Sequence, residues 1–191
     1  AVFARRGFLG VWGEAHLFSE PGCASPQGFI LVDDTGERTV LWKRDSRLTL
    51  RAEDLKRQWI LDAGALHIDG HDTESAIAAA TWAREAGVPV IADLDDVYPG
   101  IEELLGKIDY LSTSRDIPGR LTGVDNPRKS LPEPRKTHGS RLTAATLRHE
   151  GVLVWHRAVH PSAPESRHAP VRTAAERDPA HSGRACRLSR C

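Results

Sequence analysis

ALHIDGHDTESAIAAATWAREAGVPVIADLDD, residues 65–96, decides the fold. Its opening, Ala65–Asp69, reads as a short strand that stops at Gly70. Thr73 can cap a helix running to Ala86, on which Ala76, Ala79, Ala80 and Ala83 recur at helical spacing and form a narrow, close-packing face. Gly87 ends that helix, because glycine adopts the left-handed C-cap conformation without a Cβ penalty. Val88–Asp93 is then a continuous apolar run, the pattern of a strand buried on both faces of a parallel sheet.

The same alternation continues downstream. Ile101–Leu105 reads as a short helix, Ile108–Thr113 as a strand, and Asp116–Leu121 as a helix that tolerates Pro118 in its first turn. Arg128–His138 is the place for another helix, although Pro132 and Pro134 argue against a regular one. Leu142–Leu147 and Val152–Trp155 read as two more strands. Strands and helices alternating at this spacing imply an α/β fold with a mostly parallel, doubly wound sheet and ligands at the strand C-terminal ends. Upstream, Leu55, Trp59 and Ala52 share one helical face between Arg51 and Leu61. Residues 28–33 and 38–42 are rich in β-branched and aromatic types around Asp34-Thr35-Gly36-Glu37, which predicts a hairpin with a four-residue loop. That hairpin stands outside the alternation and belongs to a separate small sheet.

Composition narrows the function classes. The 191 residues carry 26 basic and 26 acidic side chains, which gives no electrostatic case for nucleic acid or a membrane as partner. No apolar run approaches the ~20 residues of a spanning helix. Cys23, Cys186 and Cys191 are odd in number and have no CxxC spacing, so a disulfide framework is not expected and a reducing cytoplasm fits. No methionine occurs, and the chain is expected to begin inside a gene. Up to Glu150 there are 19 basic and 23 acidic residues; beyond it there are 7 and 3. From His156 to Cys191 the only large apolar residues are Val159, Val171 and Leu188, too few to offset the entropy of ordering the segment. This tail reads either as a basic disordered extension or as translation out of frame.

Two clusters could carry chemistry. His67-Ile68-Asp69-Gly70-His71-Asp72 places two imidazoles and two carboxylates at a strand end, where metal-dependent hydrolases put ligands. The spacing matches no standard metal motif, and Asp72 can instead cap the following helix. Asp93, Asp95 and Asp96 close the next strand and could hold Mg2+ or sugar hydroxyls, or be solvated loop charge. No P-loop, GxGxxG or GxSxG element is present.

The order of these elements resembles that of the ribokinase-like (PfkB) sugar kinases. Gly-Phe-Ile-Leu-Val-Asp-Asp-Thr-Gly-Glu-Arg-Thr-Val-Leu, residues 28–41, is similar to the family's lid hairpin. The strand ending in Asp69-Gly70, the helix ending Ala-Arg-Glu-Ala-Gly, the strand Val-Pro-Val-Ile-Ala-Asp-Leu-Asp and the run Arg120-Leu121-Thr122-Gly123 follow in the family's order. Thr146-Leu147-Arg148-His149-Glu150-Gly151-Val152 resembles its T-x-G-x-x-G-V element beside the nucleotide. The resemblance implies a Rossmann-like domain over residues 1–155, a lid at 28–42, and transfer of the ATP γ-phosphate, with Mg2+, to a sugar or nucleoside hydroxyl. It implies that Gly28 and Ile30 face the sugar and that Ser114, Thr146 and Gly151 lie at the nucleotide. Apart from the resemblance, the exposed edges of the hairpin could pair two copies of the chain into a homodimer.

The departures concern the catalytic centre. The family's N-x-x-E motif falls on Ser114 and Ile117, and the first glycine of T-x-G-x-x-G is Arg148. The family's di-glycine sugar-binding segment has no counterpart, and no Gly-Ala-Gly-Asp, whose Asp is the base, occurs in the chain. Cys186–Cys191 read one base along can give Ala-Ala-Phe-Arg-Gly, much like residues near that motif, which favours a frameshift for residues 156–191. The expectation is a kinase fragment with no catalytic residue of its own and no metal site. A hydrolase using His67, Asp69, His71 and Asp72, or a non-catalytic interaction protein, are the alternatives.

Overall fold

The computed structural model of the chain describes residues 16, 18–34, 36, 38–147, 151–156 and 166–167. The chain divides into two compact units, residues 1–55 and residues 56–191.

In the first unit, β1 (Gln27–Val32) and β2 (Arg38–Lys43) form an antiparallel hairpin in which Gly28 pairs with Trp42 and Ile30 with Val40. The strands run one residue further at each outer end than the sequence suggests. All twelve of their residues are exposed, Phe29, Leu31 and Trp42 among them at 63%, 59% and 67%. The helix expected from Arg51 to Leu61 is interrupted. Ala52–Asp54 is a single 3-10 turn, closed by the Asp54 carboxylate accepting from the Arg51 N–H at 2.9 Å. Leu55 then takes an extended conformation, which no helix can pass through.

The second unit starts with α1 (Arg57–Leu61), then β3 (Leu66–Ile68), α2 (Thr73–Glu85), β4 (Val90–Leu94), α3 (Ile101–Leu105) and β5 (Tyr110–Ser114). It continues with α4 (Ile117–Thr122), α5 (Pro127–Ser130), α6 (Pro132–His138), β6 (Leu142–Thr146), β7 (Val152–His156) and β8 (Ser166–Arg167). The six strands lie in chain order; β3 to β6 are parallel, and β7 and β8 add antiparallel. This is a mixed, mostly parallel α/β sheet of Rossmann-like type. Right-handed crossovers between neighbours taken in one direction put α2 and α3 on one face of it.

Burial follows from that one-sided cover. Val90, Ala92, Leu94, Leu111, Thr113, Thr143 and Ala145 are each no more than 1% exposed and share a face through the strand register. Their neighbours Ile91, Asp93, Tyr110, Ser112 and Ala144 are only half-buried. The run at Val88–Asp93 is therefore buried on one face and partly covered on the other, not buried on both. The two buried threonines satisfy their hydroxyls on backbone: Thr113 donates to the Ala144 carbonyl at 3.2 Å and Thr143 to that of Leu131 at 3.0 Å.

The alanine face of α2 packs as expected, with Ala80 and Ala83 fully buried. Its end is a Schellman motif, with Val88 N–H bonded to the Ala83 carbonyl at 2.8 Å and Gly87 N–H to that of Arg84 at 3.2 Å around the positive φ of Gly87. At its start the expectation is corrected. Thr73 is the first helical residue and Asp72 occupies the cap position without a capping side-chain bond. The Thr73 hydroxyl donates back to the Gly70 carbonyl instead, at 3.0 Å. The prolines split residues 128–138 into two helices with Leu131, 1% exposed, between them, and Pro134 sits harmlessly in the first turn of α6.

At the opposite end of the sheet from the loops described below, Asp109 fixes the register. Its carboxylate accepts from Val90 N–H at 3.0 Å and its carbonyl from Arg141 N–H at 2.7 Å, tying the entries of β4, β5 and β6 together. Of the expected tail, Ser166 and Arg167 pair with Trp155 and Val154. Residues 157–165 and 168–191 lie outside the described residues, and so does the expectation that they are disordered or out of frame.

Candidate functional site

Parallel strands in one sheet bring their C-terminal ends, and the loops that follow, to one edge. Beyond β5 and β6 that edge gathers the three residues that the resemblance places at a nucleotide. Ser114 is the register partner of Thr146, and the Gly151 carbonyl accepts from the N–H of Leu147, next to Thr146, at 2.7 Å. Gly151 has φ +97°, which a side chain would oppose. Thr146 turns its hydroxyl to the Thr113 carbonyl at 3.4 Å, whereas the Ser114 hydroxyl is buried with no hydrogen-bond partner among the described residues. A buried hydroxyl left in that state is costly unless a ligand or water completes it. Ile117, where the family motif has its carboxylate, is fully buried in the core. It packs the helix and supplies no charge. Arg148 lies outside the described residues.

Beyond β3 and β4 the carboxylates and imidazoles sort themselves into pairs. Asp69 closes a local turn, its Oδ1 accepting from the His71 N–H at 3.1 Å, and its Oδ2 is 3.5 Å from His71 Nδ1. The Tyr98 hydroxyl donates to Asp95 Oδ1 at 2.8 Å and lies 3.2 Å from His71 Nε2, with the two rings tilted at 41° and 4.9 Å apart. Burial, then the Asp95 carboxylate, pushes the Tyr98 phenol well above its usual range, so it keeps its proton. Asp96 accepts from Val97 N–H at 2.8 Å and pairs with Arg120 at 2.6 Å. Those two contacts, in that order, hold its carboxyl below the usual carboxylate range, and the same pair raises Arg120. Among the described residues no three histidines, cysteines or carboxylates converge to hold a metal ion. His67 is exposed on β3, Asp69 contacts His71, and His71 contacts Tyr98. The hydrolase alternative therefore has no converging ligand set behind it.

Sequence reasoning did not single out Tyr98, and Arg120 entered only as part of a run. The signal for Tyr98 was available: an aromatic followed by Pro99-Gly100, directly after three carboxylates at a strand end. In the hairpin, Gly28 and Ile30 stand two residues apart on β1 and so share a face. Trp42 lies across Gly28, where a Cβ would sit 3.2 Å from the indole ring. A groove of about 500 Å3 lies between α3, α4, α5 and α6, beside Leu105, Val124, Lys129 and His138, and none of the candidate sugar, nucleotide or metal residues lines it.

No family model matches the sequence, and no curated protein matches it. Solved structures do. A protein of Agrobacterium tumefaciens assigned as a ribokinase superposes with a TM-score of 0.62 at 27% identity, over 71% of this chain and 44% of that one. The adenosine kinase of Sinorhizobium meliloti matches with a TM-score of 0.59 at 20% identity, over 69% and 44%. A fructokinase of Xylella fastidiosa with bound ATP matches with 0.58 at 19% identity, over 72% and 48%. The chain has the ribokinase-like carbohydrate kinase fold and spans about half the length or less of these structures.

Proposed function

We propose that this chain is a carbohydrate-kinase-like protein whose strand-end edge is a nucleotide site and whose hairpin is the lid over a sugar or nucleoside. The observation that carries this reading is the buried hydroxyl of Ser114, which has no hydrogen-bond partner among the described residues and stands beside Thr146 at the edge where such sheets bind ligands. The structural likeness to a ribokinase-assigned protein, an adenosine kinase and an ATP-bound fructokinase supports it. The corresponding reaction is phosphoryl transfer from ATP, with Mg2+, to a sugar or nucleoside hydroxyl. In that reaction Ser114 and Thr146 would bond phosphate or ribose oxygens, and Gly28 and Ile30 would pack on the acceptor. The ATP and Mg2+ belong to the proposal, as does a cytoplasmic setting; among the described residues no helix is long and apolar enough to cross a membrane.

Titrating the chain with Mg2+-ATP and, separately, with ribose, fructose and adenosine tests the site assignment by amide chemical shifts. ATP is expected to move Ser114, Thr146 and Gly151, and an acceptor to move Gly28 and Ile30. Saturable shifts confined to other residues, or none at millimolar ligand, would sink the assignment.

The hairpin supports a partner as well. Phe29, Leu31 and Leu41 form one of its faces, and Ile30, Val40 and Trp42 the other, and all six are exposed. One face over an acceptor leaves the second for another copy of the chain, paired about a two-fold axis. Sedimentation is expected to give a dimer, with Leu31→Asp shifting it to monomer by at least about tenfold in Kd, since a buried apolar contact is replaced by a charge. A wild-type monomer at all concentrations removes the dimer from the reading.

A further inference from the structure

Gly28 and Ile30 are the hairpin residues that the kinase resemblance turns toward the acceptor, yet the largest side chain on their face is Trp42. The register sets Gly28 opposite Trp42, Ile30 opposite Val40 and Val32 opposite Arg38, and side chains paired in this way point to the same side of the ribbon. The indole folds down onto its partner: Cζ3, Cε3 and Cη2 lie 3.2, 3.4 and 3.6 Å from where a Cβ on Gly28 would stand. Gly28 is not among the glycines with positive φ, so what it supplies is room. A methyl group there would have to displace the ring by a few tenths of an ångström. Seated in this way, Trp42 still keeps 67% of its surface in water.

We propose that Trp42, seated on Gly28, is the surface of the hairpin that meets the acceptor, and that it selects a nucleoside over a free sugar. The inference rests on the reading of the hairpin as a lid and names the class of molecule beneath it. Ile30, Val32 and Val40 complete this face, all exposed, and Arg38 at the loop end is its one polar side chain among the described residues. A planar base can stack on the indole and bury only apolar surface, which strengthens binding about tenfold or more. A sugar ring laid on the same face turns hydroxyls toward Ile30, Val32 and Val40, which offer no hydrogen bond in place of the water those hydroxyls lose. Because Gly28 already holds the ring against the strand, little side-chain freedom is left to lose when a base arrives. Gly28 is thus a positioning residue that acts through Trp42, and Trp42 is the group that touches the ligand.

Titrating the whole chain with adenosine, uridine, ribose and fructose, followed by amide and indole N–H chemical shifts, tests this. The two nucleosides are expected to move the Trp42 indole N–H together with Gly28 and Ile30, with a Kd at least about tenfold below that of either sugar. Trp42→Leu is expected to weaken adenosine about tenfold and leave ribose unchanged, whereas Trp42→Phe, which keeps a stacking ring, retains most of the preference. Gly28→Ala lifts the ring from its seat and is expected to act in the same direction as Trp42→Leu, by less. Cross-strand contacts between Leu31 and Thr39, on the opposite face, report that the hairpin is intact in each variant. Sugars bound at the hairpin as tightly as nucleosides, or a nucleoside preference that survives Trp42→Leu, overturn the inference and leave the lid reading standing. Movement of neither Gly28 nor Ile30 by any of the four ligands overturns the lid reading, and this inference with it.

Discussion

Gly70→Ala is expected to destabilise the second unit by about 2–4 kcal/mol, while Gly87→Ala costs about 1 kcal/mol. Both glycines have positive φ, +83° and +72°, which costs an L-residue roughly 1–2 kcal/mol. The difference lies in the space around them. A Cβ on Gly87 meets nothing within 4 Å, but one on Gly70 lands 2.8 Å from Leu94 Cδ2 and 3.2 Å from the Tyr98 ring. Leu94 is fully buried, so its side chain has little room to yield, and overpacking of this kind costs about 1–3 kcal/mol. Thermal unfolding followed by circular dichroism should show a fall of about 5–15 °C for Gly70→Ala and a few degrees for Gly87→Ala. Equal falls in the two variants would mean that the crowding at Gly70 relaxes freely and that the seat of Tyr98 is soft.

The parts of this fold that were legible in the sequence are those set by local chemistry. The alanine stripe of α2, its stop at Gly87 and the order of strands each follow from spacing and from one or two residue types. What sequence missed depended on contacts across the chain. The half-cover of Ile91 and Asp93 reflects helices lying on one face of the sheet, which an apolar run cannot reveal. The break at Leu55, which is extended directly after the turn that Arg51 and Asp54 cap, leaves no signal in the spacing of the apolar residues. At the candidate site the residues Ser114, Thr146 and Gly151 were named through resemblance; the strand register pairs Ser114 with Thr146, and the Gly151 carbonyl bonds the next residue, Leu147. The pairing of Tyr98 with His71 spans 27 positions and joins two loops, so no local pattern encodes it. For the His67–Asp72 cluster the sequence supplied ligand types, while in the fold Asp69 accepts within a local turn and His71 lies against Tyr98.

The 191-residue chain is expected to release no ADP above the protein-free rate from Mg2+ and ATP with any of a panel of pentoses, hexoses and nucleosides. Phosphoryl transfer by this fold relies on positioning and charge stabilisation, with a base at the acceptor hydroxyl and backbone donors at the moving phosphate. The resemblance assigns both to a Gly-Ala-Gly-Asp segment that the sequence does not contain. In that resemblance the metal-organising carboxylate falls on Ile117, which is fully buried in the core, and the first glycine of the element beside the nucleotide falls on Arg148. One lost anion-hole donor costs ~10²–10³ in rate, and a lost base a further ~10²–10⁴, so their joint loss puts turnover below detection. A sugar kinase of the same fold, assayed alongside, fixes the detection limit. Binding without turnover, with ATP shifting Ser114 and Thr146, keeps the nucleotide site and assigns the deficit to the missing base and donors. Turnover by the chain itself would place its catalytic groups elsewhere, and the carboxylates that follow β4, Asp95 and Asp96, would be the first to replace with asparagine.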